Sequence, residues 1–510
     1  MNLRLNQILK LILICSLLYF TSILIIYTFF ETNQTHSSYS SPVFDENNEQ
    51  ISFILIEFEF FENDLLETIT SLCWLSPIIS VIIVSQKPVY PPIRYPKNCR
   101  IKFIDNSFQT NKSLIESRIE NHIKSENVVI IPDNIRIDSK NSLYDLILNL
   151  KKFNSIERTA LIVSIGSESY QVNKTNAIED CYAIDFDIKR WTLRYSRSHS
   201  FDSCDGFRGD NYVVLIRRSD LLELNSPFER PFLESFYIQS KTNKIKLKFF
   251  DSTAFRRSGH LFANNQRNRW KHKIWTEERR KSLFNLIGVK KLIDWNGSVE
   301  WFGCSKHTSR CFPTVIQEMP EYLYNNRWTP VCCLQHLAET GRHVFKILES
   351  YSVRYWLEGG SLLGAARNGQ IIPWDYDIDI GVYSQDLQKC PYFPQNDPIV
   401  DENGFIWEKA LEGDFYRVHF SQTNRLHVDV FPFYSRNGTM TKNTWFEDHI
   451  QDREFPQHFL QPLTRIRFIE WNAFAPNNVQ EFLEYKFGKN VINSPKYPKP
   501  ELLEFPIDSL

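Results

Sequence analysis

The stretch from Trp356 to Val382, WLEGGSLLGAARNGQIIPWDYDIDIGV, constrains the fold more than any other part of the sequence. Asp375, Asp377 and Asp379 occupy alternate positions, so a β-strand would present all three on one face. Three neighbouring carboxylates repel one another, and a hard divalent cation such as Mg²⁺ or Mn²⁺ relieves that repulsion by accepting oxygen ligands. The pattern therefore predicts a strand that binds a divalent cation.

Residues on either side of these aspartates indicate what the cation would hold. Gly359-Gly360-Ser361 predicts a turn whose backbone N–H groups can approach a phosphate closely, because glycine has no Cβ. Arg367 follows a short predicted helix and can form a forked contact with a phosphate. Asp429, between two valines, offers a further carboxylate from a neighbouring strand. Together these groups predict metal-assisted phosphoryl transfer, which depends on positioning and charge neutralisation.

The order of these features resembles that of the nucleotidyltransferase superfamily of polymerase-beta-like enzymes. A lone DxD motif could instead be a solvated turn or a calcium loop. A glycosyltransferase could also use it to hold the diphosphate of a sugar nucleotide, but there the motif closes a strand of a nucleotide-binding α/β unit, and here it follows a Gly-Gly-Ser turn. A non-catalytic lumenal scaffold is the third alternative. We favour phosphotransfer.

An uncharged apolar run of 20 residues, Leu11 to Phe30, predicts a membrane-spanning helix. Arg4 and Lys10 precede it, so the rest of the chain is expected on the lumenal side. A cleaved signal peptide is the alternative, but the run is long and its end is bulky. Five Asn-x-Ser/Thr sequons agree with a lumenal body; they begin at Asn33, Asn111, Asn173, Asn296 and Asn437.

The chain has 510 residues, with 59 Lys and Arg against 60 Asp and Glu, so it lacks the basic excess that nucleic-acid binding requires. We predict a cytoplasmic tail (1–10), the anchor (11–30), a flexible stem (31–50), an α/β stem domain (51–285) and a catalytic domain (286–510). Runs rich in Ile and Val, alternating with helical patterns, predict a mainly parallel sheet at 51–285. The basic segment 256–281 is interpreted as a solvated helical face.

The C-terminal domain is predicted to be α+β. It has a helix at Gln335 to Glu349, a short strand at Val353 to Leu357 and a strand around Asp429. In the stem domain, Asp133 follows an apolar run and is interpreted as a turn residue, with half of a sugar-nucleotide site as the alternative.

The cysteines leave two interpretations open. Cys304, Cys311, Cys332 and Cys333 form a C-x6-C-x20-CC cluster that could bind zinc, although disulfides are the default in a lumenal protein. We also predict a Cys181–Cys204 disulfide, a possible Cys73–Cys99 pair and an unpaired Cys390.

Long segments of the C-terminal half resemble the LicD/fukutin family of phosphotransferases; they are WLEGGSLLGAARNGQIIPWDYDIDIGVY, HVDVFPFYSRNGTMTKNTW, QDREFPQHFLQPL and APNNVQEFLEYKFGKNVINSPKYPKP. The resemblance covers about 300–510 strongly and 51–285 more weakly. It implies a type II Golgi membrane protein that transfers ribitol 5-phosphate from CDP-ribitol to the phosphorylated O-mannosyl glycan of a dystroglycan-like glycoprotein, with release of CMP. Another CDP-alcohol remains an alternative donor.

The resemblance also implies residue roles. Asp375, Asp377 and Asp379 would bind Mg²⁺, and Asp429 would take the proton of the acceptor hydroxyl. Structural zinc would be bound by Cys304, Cys311, Cys332 and Cys333, and the stem domain would form a homo-oligomer. Donor contacts would fall on Gly360, Arg367, Trp374, Asp375, Tyr376, Asp377, Ile378, Asp379, Gln451, Asp452, Ser494, Pro495 and Lys496. The last three depart from the Asn-Pro-Gln form expected in the family.

Overall fold

The computed structural model describes residues 51–495 except 76–78, 86, 91, 95, 97–98, 106–118, 154–156, 168–180, 201–203, 210, 260, 310–314, 317–318, 394–395, 447–448 and 450. The predicted tail, anchor and flexible stem lie outside the described residues, as do Cys311 and Lys496. Of the helices within these ranges, none has both the length and the apolar character needed to cross a membrane.

Short strands alternate with α-helices along the described chain. The strands of the N-terminal half are β1 (Ile51–Glu57), β2 (Ser80–Ser85), β3 (Arg100–Asp105), β4 (Asn127–Pro132), β5 (Ile135–Ile137), β6 (Thr159–Ser164), β7 (Gly166–Ser167), β8 (Cys181–Asp187), β9 (Thr192–Arg197), β10 (Gly206–Phe207), β11 (Tyr212–Arg217), β12 (Lys246–Phe250), β13 (Phe255–Arg257), β14 (Lys291–Ile293) and β15 (Val299–Trp301). Those of the C-terminal half are β16 (Val315–Ile316), β17 (Met319–Pro320), β18 (Tyr355–Leu357), β19 (Ile378–Tyr383), β20 (Ile399–Val400), β21 (Ile406–Lys409), β22 (Tyr416–His419), β23 (His427–Arg436), β24 (Thr439–Thr441), β25 (Phe455–Pro456), β26 (Thr464–Phe468) and β27 (Trp471–Ala475). The α-helices are α1 (Leu65–Cys73), α2 (Lys140–Lys152), α3 (Arg218–Leu221), α4 (Phe232–Thr242), α5 (Gln266–Ile287), α6 (Glu321–Tyr324), α7 (Val331–Ser350), α8 (Gly359–Asn368) and α9 (Val479–Phe487).

A seven-stranded sheet forms the centre of the N-terminal half, in the order β12-β6-β11-β4-β1-β2-β3. As predicted it is mainly parallel, but β11 runs antiparallel to both of its neighbours. Alternate residues of each strand face opposite sides of a sheet. Phe53 and Leu55 therefore pack among the residues of α1 and α2, whereas Ile54 and Ile56 pack on the other face with α4 and the end of α5. Both faces are buried, which explains the continuous apolar runs.

A second, five-stranded sheet was not anticipated. Its order is β10-β8-β9-β14-β15, and its buried side chains join the α4 face of the first sheet. Its last two strands, Lys291–Ile293 and Val299–Trp301, pair with this sheet although we had assigned their residues to the C-terminal domain. The disulfides Cys73–Cys99 and Cys181–Cys204 are both present, and Cys390 is buried without a disulfide partner.

The basic segment forms most of α5. About half of the side chains of this helix are exposed and most of the others are half-buried, while Leu283 and Phe284 are buried. The predicted solvated face therefore holds for about half of the helix. The helix is nevertheless anchored, because Arg279 pairs with the buried Glu59 and Arg280 pairs with Glu234 at 3.0 Å.

The C-terminal half contains a mixed sheet in the order β18-β19-β23-β22-β21-β20, extended by β24 and β25. Helix α7 covers it and includes the helix predicted at Gln335 to Glu349, while β18 falls within the strand predicted at Val353 to Leu357. Trp191, in the β8–β9 turn, packs into this C-terminal core and donates a hydrogen bond to the Trp328 carbonyl at 2.7 Å. The indole of Trp191 therefore packs across the junction between the two halves.

Candidate active site

The three alternating aspartates do not share one strand. β19 begins at Ile378, so only Asp379 lies on it, and Asp375 and Asp377 lie in the preceding loop. In that loop the Asp375 N–H donates to the Ile372 carbonyl at 2.8 Å, which makes a turn that delays the strand. The prediction of a single strand face was therefore wrong. The loop still brings the carboxylates together, because Asp377 lies close enough to Asp375 for its negative charge to raise the Asp375 pKa.

The Gly-Gly-Ser sequence is the first turn of α8 rather than a separate turn before it. A Cβ on Gly360 would lie 2.6 Å from Asp375 Oδ2, and a Cβ on Gly359 would lie 3.1 Å from Asp379 Oδ2. Ser361 Oγ accepts a hydrogen bond from the Asp379 N–H at 2.9 Å. The glycines thus let the positive end of a helix lie directly against the carboxylates, which stabilises negative charge there.

Asp429 completes the carboxylate cluster from the next strand. The parallel pairing of β19 with β23 places Asp379 opposite Asp429. Arg417 Nε donates to Asp429 Oδ1 at 3.1 Å, and His427 Nε2 lies 3.8 Å from the same oxygen. The ligand atoms of Asp377, His427 and Asp429 all lie within 4.8 Å of one another.

Burial raises the pKa of Asp375 and Asp379 well above the usual range, and repulsion by the Asp377 carboxylate raises it further. Burial also raises the pKa of Asp429, against the opposing charges of the neighbouring histidine and arginine. A divalent cation would stabilise the ionised form of such a cluster. The hard carboxylate oxygens fit Mg²⁺ or Mn²⁺. The predicted ligands are Asp375, Asp377 and Asp379, whereas the ligand atoms that lie within sharing distance here are those of Asp377, His427 and Asp429.

A buried lysine, Lys442, also faces this cluster, and sequence reasoning missed it. Its Nζ lies 2.7 Å from Asp452 Oδ1 and 4.1 Å from the centre of the Phe431 ring. The charge of Lys442 acts to lower the pKa of Asp379, against the burial that raises it. The predicted contact residue Asp452 is thus connected to the carboxylates through this lysine. Gln451 is the residue immediately before Asp452.

A second buried lysine, Lys486, lies beside the start of α8. Its Nζ donates to the Arg453 carbonyl at 2.9 Å and is 3.5 Å from Glu358 Oε2. Glu358 immediately precedes the glycine pair and also accepts a hydrogen bond from Trp356 Nε1 at 2.8 Å. This network fixes where α8 begins. No sequence signal distinguished either lysine from a surface residue.

Arg367 occupies a different position from the one predicted. Its Nε donates to the Ile492 carbonyl at 3.0 Å and its Nη2 to the Val491 carbonyl at 2.8 Å. The fork is therefore directed at backbone oxygens. It anchors the segment that carries the exposed Ser494 and Pro495, so these three predicted residues lie in one region.

Trp374 and Tyr376 are half-buried at the edge of the C-terminal core, on the loop that carries the aspartates. The Trp374 ring centre is 6.2 Å from that of Trp328. Burial and the Asp377 carboxylate raise the pKa of Tyr376. The half-buried rings of Trp374 and Tyr376 lie beside the carboxylate cluster, where they could contact the base or ribose of a nucleotide.

The cysteine cluster packs close to the same loop. Cys304 and Cys332 form a disulfide, and Cys333 Sγ lies 3.4 Å from Cys304 Sγ. All three sulfurs are buried and close enough to share one metal ion. The nearby Thr329 N–H donates to the Pro373 carbonyl at 3.0 Å, which connects the start of α7 to the aspartate loop.

Sequence reasoning missed two residues beside Asp429, and only one of them could have been found from the sequence. His427 is two positions before Asp429, so strand alternation alone puts both on one face. Arg417 faces Asp429 only through the register of β22 against β23, which the sequence does not give.

Two family models match the chain. The family described as "Fukutin-related protein stem domain" matches residues 38–294, and that described as "LicD/FKTN/FKRP, nucleotidyltransferase domain" matches 352–478. Human "Ribitol 5-phosphate transferase FKRP" is 41% identical over 460 residues, which is 89% of each chain. The chain belongs to the fukutin-related protein family.

More distant relatives share only the C-terminal part. Human "Ribitol-5-phosphate transferase FKTN" is 26% identical over 178 residues, or 33% of this chain and 36% of that protein. Among solved structures, the lincosamide adenylyltransferase LnuA covers 27% of this chain and 79% of its own, with 15% identity and a TM-score of 0.19. Staphylococcus aureus TarS covers 47% of this chain and 64% of its own, with 11% identity and a TM-score of 0.27. Scores this low support no argument about the fold.

Proposed function

We propose that this family member transfers ribitol 5-phosphate from CDP-ribitol to a phosphorylated O-mannosyl glycan of a dystroglycan-like glycoprotein. The observation that carries the proposal is the cluster of Asp375, Asp377, Asp379 and Asp429 against the α8 glycines. The 41% identity to the human ribitol 5-phosphate transferase over most of both chains supports the choice of cargo.

Mg²⁺, when bound, would neutralise charge on the donor phosphates as CMP departs. The chain itself supplies a base and the surroundings of that base. Arg417 donates a hydrogen bond to Asp429 Oδ1, so the other carboxylate oxygen of Asp429 would accept the hydrogen bond of the acceptor hydroxyl. Burial, by raising the pKa of Asp429, makes it a stronger base.

The proposed transfer moves one proton, forms one bond and breaks one bond. The acceptor oxygen gives its proton to Asp429 and forms a bond to the phosphorus of ribitol phosphate, and the bond from that phosphorus to the CMP oxygen breaks with its electron pair on CMP. Lys442, buried near Asp379, is placed to reduce the repulsion between the carboxylates and the anionic donor.

The proposal extends to the location and assembly of the protein. The uncharged run Leu11 to Phe30 would anchor it in the Golgi membrane with the active site in the lumen, and the sequons at Asn296 and Asn437 would then be accessible to glycosylation. The stem domain would mediate a homo-oligomer.

We also propose one structural zinc ion per chain, held by Cys304, Cys332 and Cys333 together with Cys311. Three buried sulfurs within sharing distance support this, and thiolates are the ligands that structural zinc prefers. The alternative is the Cys304–Cys332 disulfide, which would have to be reduced before these cysteines could bind zinc. Elemental analysis of the purified protein should give one zinc per chain. Absence of zinc with all four cysteines oxidised would refute it.

A donor screen tests the proposed reaction. The purified chain is incubated with Mg²⁺, a phosphorylated O-mannosyl glycopeptide and either CDP-ribitol, CDP-glycerol or a UDP-sugar. We expect acceptor-dependent CMP release with CDP-ribitol. Release of UDP without CMP would favour the glycosyltransferase alternative and contradict the proposal.

A further inference from the structure

A cavity of about 770 Å³ opens in the N-terminal half, and none of the proposed active-site residues lines it. It lies at the carboxyl ends of β1 and β4, where Glu57 ends one strand and Asp133 follows the other. The chain adds β2 and β3 on one side of β1 and returns to place β4 on the other side. Open α/β sheets bind ligands at such a switch point. The volume falls within the range of about 300–1,000 Å³ typical of ligand pockets.

The charges around this cavity largely compensate one another. Arg230 lies 3.3 Å from Glu57 and 3.6 Å from Glu59. Arg280 pairs with Glu234 at 3.0 Å, and Arg208 pairs with Asp294. Each of these arginines already faces a carboxylate, so the wall offers little net positive charge to an anion.

The strand ends themselves are acidic. An α/β sheet that binds a nucleotide usually presents backbone N–H groups to the phosphates here. This chain instead places Glu57 and the buried Asp133 at the two ends, and three protein groups already donate to Asp133: the Asp64 N–H, the Asn134 N–H and the Thr68 hydroxyl. A diphosphate would be repelled, so the geometry favours a ligand without charge.

Two buried polar atoms of the wall have no protein partner among the described residues. They are Tyr237 Oη and Arg230 Nε, and Tyr237 is only 2% exposed. Leaving a buried donor unsatisfied costs about 1–3 kcal/mol. Both residues line the cavity, but the two atoms themselves are covered, so a ligand oxygen would complete their hydrogen bonds after a small movement of the side chains.

Aromatic rings form much of the remaining wall. The cavity is lined by Phe58, Tyr182, Tyr195, Phe207, Phe232 and Tyr237. Aromatic faces pack against apolar C–H surfaces, while charged pairs and hydroxyls bind hydroxyl groups of a ligand. A pyranose ring presents both kinds of surface and carries no charge.

We propose that this cavity is a binding site for a neutral saccharide, separate from the transfer centre. Tyr237 Oη and Arg230 would bind its hydroxyl groups, and the surrounding rings would contact its C–H faces. The site is independent of the proposed transfer reaction, and saccharide binding there can be measured without turnover.

The test uses saturation-transfer NMR on the detergent-solubilised full chain with Tyr237→Phe and, as matched control, Tyr434→Phe on an exposed part of β23. The probes are methyl glycosides of glucose, galactose, mannose and N-acetylglucosamine, with UDP plus Mg²⁺ as the anionic competitor. Because Tyr237 Oη is buried without a protein partner, its removal should not lower the unfolding temperature and should raise it slightly. We expect at least one glycoside to bind the wild type and the control, and to bind Tyr237→Phe about five- to tenfold more weakly.

Hydrogen exchange of the wild-type chain gives a second measurement that needs no variant. A bound glycoside should protect amides at 206–209 and 232–237. The proposal is overturned if no glycoside binds, if Tyr237→Phe binds equally well, if UDP displaces the glycoside, or if protection falls elsewhere.

Discussion

The carboxylate of Asp375 occupies the space that a side chain at position 360 would need, so glycine is the residue that fits there. Sequence reasoning assigned the glycine pair to a phosphate-binding turn, whereas the structure shows that it allows two carboxylates to approach the first turn of α8. Both roles are compatible, since a group bound between the aspartates would also lie next to that helix end.

A single methyl group at this position should therefore damage the site more than the fold. In Gly360→Ala the new Cβ would lie 2.6 Å from Asp375 Oδ2 and displace the carboxylate. We expect kcat to fall about 100-fold, as for a misplaced catalytic group, with the circular dichroism spectrum unchanged. Gly166→Ala is the control, because Gly166 does not have a positive φ and its Cβ would make only an ordinary contact, 3.6 Å from the Phe255 carbonyl oxygen. Normal activity of Gly360→Ala would show that Asp375 is not needed where it lies.

At the scale of elements, α5 is held to the end of β1 by a buried carboxylate. Burial would raise the pKa of Glu59, but hydrogen bonds from Arg279 and His272 outweigh it and lower the pKa to about 2. A carboxyl whose folded pKa is depressed stabilises the fold above its unfolded pKa, near 4.5. That stability is lost as the pH falls from there through 2.

Glu59→Gln should therefore destabilise the protein at pH 7 by about 3 kcal/mol, because it leaves Arg279 without its charged partner. The difference from wild type should shrink as the pH falls below 4.5. Urea unfolding at several pH values measures it, with the exposed Glu67→Gln as control. A difference that stays constant with pH would contradict the assignment.

The sequence predicted which strands are buried, and where they lie along the chain, better than it predicted whether neighbouring strands run parallel or antiparallel. Apolar runs identified β1, β2, β4 and β6, because a strand buried on both faces must be apolar throughout. They could not show that β11 runs antiparallel, since burial is the same for either direction. The five-stranded sheet was missed because its strands are short and amphipathic. The aspartate pattern correctly brought the carboxylates together, but the turn before Ile378 replaced the predicted strand with a loop.

At the scale of the whole molecule, the N-terminal half inserts Trp191 into the core of the C-terminal half. The indole lies edge-on to Tyr322 at 5.9 Å between ring centres and donates to the Trp328 carbonyl. The Lys290 and Lys291 N–H groups both donate to the Trp191 carbonyl, so the same residue also holds the strand that links the halves.

Trp191→Ala should weaken this junction by about 3–5 kcal/mol through loss of the buried ring. We expect calorimetry to resolve two unfolding transitions where the wild type shows one. Trp191→Phe keeps a ring and loses only the N–H bond, so its cost should be about 1 kcal/mol. A single transition in Trp191→Ala, unshifted from wild type, would show that the halves are coupled elsewhere.

The central claim is that the carboxylate cluster transfers ribitol phosphate, and the mass of the acceptor tests it most directly. Wild type and Asp377→Ala are incubated with CDP-ribitol, Mg²⁺ and a phosphorylated O-mannosyl glycopeptide, with the exposed Asp397→Ala as control. We expect the glycopeptide to gain one ribitol phosphate with wild type and Asp397→Ala, and none with a folded Asp377→Ala. An unchanged glycopeptide with wild type, or an equal gain with Asp377→Ala, would contradict the account.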